Sequence, residues 1–162
     1  MSVQGRHIEI VETSVADIDI ARRLFRAYAE SLPFSLDFQG FDAELARLPQ
    51  PYAPPGGCLL IPKQGGIAVG IVGLKPLMPR IAEIKRLYIV PEARGAGLGR
   101  VLAERALSLA KEKGYERVRL DTHRPSMGPA IALYRTLGFV EIAPYGPNPD
   151  GQFVFFEKRL SD

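Results

Sequence analysis

The positions of the apolar residues along the chain predict seven strands and four helices. Strands are indicated by two-residue alternation or by short apolar runs between turn residues. Helices are indicated by apolar residues spaced three and four positions apart, as at Ala21, Leu24 and Phe25. The predicted strands lie near residues 7–11, 58–62, 66–74, 81–90, 118–120, 139–142 and 153–158, and the predicted helices near residues 15–32, 42–48, 98–113 and 129–137.

The order of these elements predicts an α/β (α+β) chain with antiparallel strands early and a strand–helix–strand crossover in the middle. Gln64, Gly65 and Gly66 stand between the second and third predicted strands and favour an antiparallel hairpin. Residues 49–57 hold four prolines and two glycines, an irregular connection that is too short for a domain linker. We therefore expect a single domain over residues 1–162.

Composition and charge exclude several classes of protein. The formal net charge is +3 and no lysine- or arginine-rich block is present, which argues against a nucleic-acid partner. No apolar run approaches the roughly 20 residues that span a bilayer, so we expect no membrane segment. Cys58 is the single cysteine, which predicts a reducing, cytoplasmic location. No group of His, Cys, Asp and Glu has the spacing of a metal site, so no metal is expected.

A glycine-rich turn between the fourth predicted strand and the long helix is the clearest candidate site. Gly95, Gly97 and Gly99 allow the main chain to approach a ligand closely, and Arg94 and Arg100 add positive charge. The N–H groups at the start of a helix favour an anion. The turn therefore predicts a site for a phosphate or pyrophosphate.

Two common phosphate-binding motifs do not fit this turn. A P-loop needs Lys and Ser or Thr after its final glycine, and here Arg100 and Val101 follow Gly99. A dinucleotide-binding fingerprint needs a third glycine where Arg100 stands, and it follows its strand directly. Asp121 lies where the ribose-binding acid of that fingerprint would be, but a hairpin precedes the unit.

Two sequence blocks carry a resemblance to a known family. The first is Leu87-x-Ile89-x-Pro91-x-x-Arg94-Gly95-x-Gly97-x-Gly99, and the second is Ala130-Ile131-Ala132-Leu133-Tyr134-Arg135-Thr136-Leu137-Gly138-Phe139. Together, and by the spacing between them, they resemble the acetyl-coenzyme A signature and the second common segment of the GCN5-related N-acetyltransferases, the GNAT superfamily. Met127 departs from the pattern, because many members carry an asparagine there that contacts the cofactor.

The resemblance implies a mixed, largely antiparallel twisted sheet with a splayed central strand, flanked by helices. It implies that acetyl-coenzyme A is the co-substrate, with its pyrophosphate held by the main chain of residues 94–100 and its pantetheine paired with the strand before the turn. Many members of the family dimerise, so the resemblance allows a homodimer. The cofactor-binding residues that it implies are Leu87, Tyr88, Ile89, Arg94, Gly95, Ala96, Gly97, Leu98, Gly99, Arg100, Ala130 and Tyr134.

The resemblance also implies the catalytic residues. Tyr134 matches a tyrosine that protonates the departing sulfur, and Glu83 matches a position at which some relatives carry the general base. Two-residue alternation puts Glu83 on one strand face with Lys85, Leu87 and Ile89, and an ordinary ion pair with Lys85 or Arg86 is the alternative to catalysis. His123 is an alternative base.

The expected function is therefore direct transfer of an acetyl group to a primary amine in a ternary complex. The alternative is a non-catalytic module that senses acyl-coenzyme A. In the family the acceptor pocket is built by the first helices, their loop and the late hairpin. Its candidates here are Phe34, Phe38, Phe41, Tyr145 and Asn148, with Glu30 and Asp37 as charges that attract an amine.

Overall fold

The computed structural model describes residues 7–13 and 15–161, and eight strands of this part form one sheet. Four α-helices of the described part accompany the sheet, and the predicted strand 66–74 is divided into the two-residue strand β3 and the longer strand β4. The strands are β1 (Ile8–Glu12), β2 (Cys58–Gln64), β3 (Ile67–Ala68), β4 (Gly70–Met78), β5 (Ile81–Ile89), β6 (Arg117–His123), β7 (Val140–Ile142) and β8 (Phe153–Arg159), and the helices are α1 (Ile18–Ser31), α2 (Phe41–Arg47), α3 (Leu98–Glu112) and α4 (Gly128–Thr136).

The sheet order is β1-β2-β4-β5-β6-β8-β7, and β3 pairs with β2. Within the described residues, β5 and β6 are the one parallel pair, and α3 makes the crossover between them. All other neighbours are antiparallel. The expectation of a mixed, largely antiparallel sheet flanked by helices is confirmed. No described helix combines the length and the apolar composition needed to cross a membrane.

Helices cover both faces of the sheet and bury a large apolar cluster on each. Leu102 and Ala106 of α3 pack with Val72 and Leu120 on one face, which we call the α3 face. On the opposite α1 face, the side chains of α1 and α2 pack against Ile71 and its neighbours. Each fully buried aliphatic side chain stabilises the fold by about 1.5–3 kcal/mol. Many of the apolar positions that predicted helices and strands in the sequence are buried in these clusters.

The two central strands separate after a short paired segment. The ladder between β5 and β6 joins Ile81–Glu83 to residues 117–119 and then stops. Residues 84–89 of β5 therefore run beside a gap on their β6 side, while their other side stays paired with β4. The splayed central strand is confirmed, and it leaves main-chain groups of β5 available to a ligand.

A β-bulge at Arg86 changes which face the side chains of β5 occupy. Ile71 of β4 pairs with Tyr88, whereas Gly73, two residues later, pairs with Lys85, so β5 contains an extra residue. Arg86 has φ +62°, in the left-handed region that non-glycine residues rarely adopt. The predicted alternation is therefore wrong beyond Lys85. Leu87 and Ile89 pack with the α3-face cluster, whereas Glu83, Lys85 and Tyr88 lie towards the α1 face.

Candidate functional site

A cleft of about 570 Å³ opens where β5 and β6 separate. Its walls come from the C-terminal end of α1 and the loop after it, the second half of β5, the glycine turn before α3, the end of β6 and α4. One continuous cavity therefore joins the glycine turn at one end to aromatic side chains of the α1 loop at the other. It brings together the two sequence blocks that the resemblance singled out.

The glycine turn forms an open cradle at the start of α3. Gly95 and Gly97 have φ of +90° and +76°, and a Cβ built on either would have no atom within 4 Å. Gly97 is the N-cap of the 15-residue helix α3 and carries no side-chain cap, so the first N–H groups of the helix are open to a ligand. This combination of free donors and helix dipole favours a phosphate group.

Ten of the twelve predicted cofactor-binding residues line the cleft, and Ala96 and Arg100 do not. Arg94 donates from Nε to the carbonyl oxygen of Ile89 at 2.8 Å, and its guanidinium lies 5.7 Å from the ring centre of Tyr88. The exposed Arg100 contacts the hydroxyl of Thr136 at 3.1 Å. Both arginine side chains are therefore in contact with other parts of the protein, and the turn itself presents main-chain groups to the cleft.

Tyr134 lies at the point where the cleft meets α4. Its side chain is 7% exposed and its ring packs edge-on against Phe139 at 5.7 Å between centres. Within residues 7–13 and 15–161 its hydroxyl has no hydrogen-bond partner, although the residue lines the cleft. Burial raises the pKa of Tyr134, with smaller contributions from Tyr28 and Asp121. The phenol is therefore protonated at neutral pH and can donate its proton.

Glu83 is enclosed in contacts of its own and does not line the cleft. The hydroxyl of Tyr145 donates to Glu83 Oε2 at 2.6 Å, and Lys75 Nζ lies 3.5 Å from Oε1. The ion-pair partner is thus Lys75 of β4 and not the predicted Lys85 or Arg86. The carboxylate is 4% exposed and covered by the segment that carries Tyr145.

The carboxylate that does line the cleft belongs to Asp121 of β6. In the described part of the chain it makes no ion pair and accepts no hydrogen bond. Burial raises the pKa of Asp121, and the nearby ammonium of Lys85 opposes that rise. In the sequence, Asp121 is a candidate only within the dinucleotide fingerprint that the glycine turn does not fit. The usable signal was its strand alternation with His123, which puts both side chains on the α1 face.

His123 forms part of an aromatic wall. Its Nδ1 lies 2.7 Å from Ser126 Oγ and its Nε2 lies 3.1 Å from Gln152 Oε1, so both ring nitrogens are engaged. The ring is 4.3 Å from that of Phe34 and 5.3 Å from that of Phe153, measured between centres. These contacts fix the ring in place and favour a structural wall over the predicted alternative role as base.

A buried ion pair anchors the bulge of β5 to helix α2. Arg86 donates from Nε and Nη2 to the two carboxylate oxygens of Glu44, both at 3.1 Å, and from Nη1 to Gln39 at 2.7 Å. The hydroxyl of Tyr52 donates to Glu44 at 2.9 Å. Burial by itself lowers the pKa of Arg86. The hydrogen bonds and the negative charge of Glu44 outweigh this effect, so the pKa of Arg86 is raised. The guanidinium also lies 5.1 Å from the ring centre of Phe41.

The predicted acceptor-lining residues are dispersed, and Phe34 is the one that lines the cleft. Phe41 is buried beneath Arg86, Tyr145 binds Glu83, and Asn148 accepts a hydrogen bond from the N–H of Phe153. Phe38 packs behind Phe34 and Phe153, while Glu30 and Asp37 are exposed. At the departure from the family pattern, Met127 Sδ accepts a hydrogen bond from Thr122 at 2.9 Å.

The other titratable candidates lie away from the cleft. His7 is exposed, and Cys58 is buried in the α3-face cluster, where burial raises the pKa of its thiol to about 11. In the described part of the chain, no three His, Cys, Asp or Glu side chains are grouped to hold a metal ion.

Comparison with known proteins extends these observations. A protein-family model described as the acetyltransferase (GNAT) family matches residues 21–139. An uncharacterized N-acetyltransferase of Schizosaccharomyces pombe is 35% identical over 147 residues, which are 90% of this chain and 90% of that protein.

Solved structures share the fold at low sequence identity. A GNAT-family acetyltransferase of Staphylococcus aureus Mu50 superposes with a TM-score of 0.78 at 20% identity, covering 96% of this chain and all of the other. The PaiA N-acetyltransferase of Thermoplasma acidophilum, solved in complex with coenzyme A, has a TM-score of 0.72 at 22% identity and covers 94% of this chain and 99% of the other.

Proposed function

The chain belongs to the acetyltransferase (GNAT) family and is an acyltransferase, and from this premise we propose that it transfers the acetyl group of acetyl-coenzyme A directly to a primary amine. The observation that carries this proposal is the single cleft that runs from the open cradle at Gly95 and Gly97, past the unpaired edge of β5, to the hydroxyl of Tyr134. A cradle with no side chain in it and a helix N-terminus behind it fits a pyrophosphate.

Each part of the cleft has a separate role in the proposed reaction. When bound, acetyl-coenzyme A supplies a thioester whose C–S bond breaks as the bond to the amine nitrogen forms. Successive N–H groups of a strand point to opposite edges, so the N–H groups of residues 87–89 that point away from β4, into the gap on the β6 side, are donors for an oxygen that gains negative charge. Tyr134 gives its proton to the sulfur, and a general base takes the proton that the amine nitrogen loses.

We propose Asp121 as that base, in place of the predicted Glu83. A base needs to reach the substrate, and Asp121 lines the cleft without a partner in the described part of the chain. Glu83 is instead engaged by Tyr145 and Lys75. The raised pKa of Asp121 favours proton transfer, since a carboxylate with a raised pKa is a stronger base and accepts a proton more readily.

The cofactor assignment is tested by binding. Gly97→Ala introduces a Cβ into the cradle at a φ of +76°, and it is expected to weaken acetyl-coenzyme A binding by about tenfold, as measured by calorimetry. Gly114→Ala is the matched control, because Gly114 has φ +93° and equally open surroundings at the far end of α3. Both variants lose similar stability, so unchanged affinity in Gly97→Ala contradicts the cradle. Binding of NAD or ATP in place of acetyl-coenzyme A contradicts the proposed function.

The base assignment is tested by pH–rate profiles of Asp121→Asn and Glu83→Gln. Wild-type kcat/KM is expected to fall as pH drops through the raised pKa of Asp121, and Asp121→Asn is expected to lose about 10²-fold and this acid limb. If Glu83→Gln removes the limb and Asp121→Asn retains it, the base is Glu83.

Stability gives an independent check on Asp121. A carboxyl whose folded-state pKa lies above its unfolded value costs stability once pH rises through that unfolded value. Asp121→Asn is therefore expected to raise the free energy of unfolding at pH 7, measured by urea denaturation, while it lowers the rate. A fall in stability at pH 7 would mean that Asp121 has a stabilising partner.

A further inference from the structure

The acceptor end of the cleft presents two opposite charges that face each other across the gap between β5 and β6. Glu83 and Arg119 are paired in register on the α1 face, where the two strands are still joined. Two residues further along each strand, on the same face, are Lys85 and Asp121, beyond the point where the ladder stops. Both line the cleft. Within the described residues, neither makes an ion pair or a side-chain hydrogen bond.

The other charges of the cleft are already engaged. Arg86 is held by Glu44, and Arg94 lies at the glycine turn on the carbonyl of Ile89. Across the described lining, the charges left for an acceptor are one ammonium and one carboxylate. A polyamine or an aminoglycoside carries several positive charges, and its recognition requires several carboxylates. The cleft therefore suits an acceptor with one positive and one negative group.

An apolar wall adjoins these charges. The ring of Phe34 is half-buried and lies 5.3 Å from that of Phe153, with His123 fixed between its two polar partners. A preformed aromatic surface next to a pair of charges favours a ligand whose charged head carries an apolar group. The rings of this wall pack on one another, and turning His123 would break two hydrogen bonds.

We propose that the acceptor is a free α-amino acid with an apolar or aromatic side chain. Its ammonium binds Asp121, its carboxylate binds Lys85, and its side chain packs on Phe34 and Phe153. This inference rests on the proposed function: the ammonium that binds Asp121 loses one proton to it, Asp121 passes that proton to water, and the nitrogen loses its second proton to Asp121 as the amide forms. An α-amino acid carries both charges on one carbon, which matches one ammonium and one carboxylate at corresponding positions of the two strands that border the cleft.

The proposal is tested with four acceptors at saturating acetyl-coenzyme A: L-phenylalanine, L-phenylalanine amide, phenethylamine and spermidine. The amide and phenethylamine keep the ring and the amine but lack the carboxylate. We expect kcat/KM for L-phenylalanine to exceed both by at least about tenfold, because Lys85 is left without its anion in their complexes. Equal or faster acetylation of either analogue, or a preference for spermidine, overturns the proposal.

Variants of Lys85 locate the discrimination. Lys85→Met is expected to reduce the preference for L-phenylalanine over its amide to less than about threefold, and Lys85→Arg to retain most of it. Lys111→Met is the matched control, since Lys111 is exposed on α3 away from the cleft and its loss is expected to leave the preference unchanged. An unchanged preference in Lys85→Met overturns the role of Lys85.

Calorimetry separates failure of this inference from failure of the proposed function. L-phenylalanine is titrated into the protein saturated with coenzyme A, and binding is expected for the wild type and a loss of about tenfold for Lys85→Met. If acetyl-coenzyme A binds but L-phenylalanine neither binds nor reacts, the amino-acid acceptor is wrong and the cofactor assignment stands. If acetyl-coenzyme A itself does not bind, the proposed function fails.

Discussion

The Tyr134→Phe variant is expected to lose about 10²-fold in kcat while its affinity for acetyl-coenzyme A changes little. Removing one oxygen keeps the ring that packs on Phe139 but removes the proton donor. Burial raises the pKa of Tyr134, so the wild-type phenol stays protonated at neutral pH and no activity loss from its ionisation is expected there. Steady-state kinetics with a thiol-release readout measure kcat, and calorimetry measures cofactor affinity.

Two other tyrosines make the Tyr134 experiment specific. Tyr115 donates its hydroxyl to the carbonyl of Gly56 outside the cleft, so Tyr115→Phe is expected to leave kcat unchanged. Tyr28 lines the cleft, and burial raises its pKa to about 12. An unchanged kcat in Tyr134→Phe, together with a large loss in Tyr28→Phe, would transfer the role of acid to Tyr28.

The Glu44→Gln variant is expected to lower the free energy of unfolding by about 3–5 kcal/mol, because it leaves a buried guanidinium without its counter-charge. The side chain of Arg86 is 2% exposed, and Glu44 accepts two of its hydrogen bonds as well as one from Tyr52. A glutamine side chain has nearly the same shape as the glutamate that it replaces, so the loss reflects charge and not a cavity. Urea denaturation measures this change in free energy. Thermal denaturation is expected to show a fall in Tm on the order of 10 °C.

An exposed ion pair is the control for the stability effect of Glu44→Gln. Glu104 lies 3.4 Å from Arg100 on the surface of α3, and Glu104→Gln is expected to change stability by less than about 1 kcal/mol. The double variant Glu44→Leu, Arg86→Met is expected to be more stable than Glu44→Gln, since replacing both partners removes the unpaired charge. If Glu44→Gln is as stable as Glu104→Gln, the buried pair does not hold the bulge.

The Glu44–Arg86 pair also concerns catalysis, because Arg86 is the residue at the bulge. A left-handed φ at a non-glycine residue persists where surrounding contacts hold it, and here α2 supplies them. The bulge leads directly into residues 87–89, whose N–H groups on the β6 side are the proposed donors to the developing oxyanion. The buried Glu44–Arg86 ion pair on the α1 face thus holds the main-chain conformation of β5 where it enters the cleft.

Local sequence was sufficient to predict the fold class and the cradle. The glycines at 95, 97 and 99 follow a strand and begin a helix, and the open conformation of this turn depends on main-chain properties that neighbouring residues decide. The strands and helices followed from periodicity for the same reason. The predicted segment 66–74 was split into β3 and β4 at Val69, a boundary that periodicity does not resolve.

Side-chain facing beyond the bulge could not be predicted from the sequence. Strict alternation grouped Glu83 with Leu87 and Ile89, but one extra residue in β5 reverses the faces after Lys85. Nothing at Arg86 itself signals a left-handed residue, because the bulge depends on Glu44 and Gln39, which lie 42 and 47 positions away in the chain. The predicted ion-pair partner of Glu83 was also wrong. Lys75 approaches Glu83 from β4 and Tyr145 approaches it from a late loop, and neither lies near it in the sequence.

The sequence by itself determined the fold class and the glycine turn at the start of α3, because periodicity and glycine conformation act over a few neighbouring residues. Tertiary structure alone decided which carboxylate lines the cleft and which charges remain free at its acceptor end. Glu83 is covered by a late segment, whereas Asp121 and Lys85 line a cleft that exists because two strands separate after three paired residues. Such contacts join positions distant in the chain, and no local pattern encodes their distance.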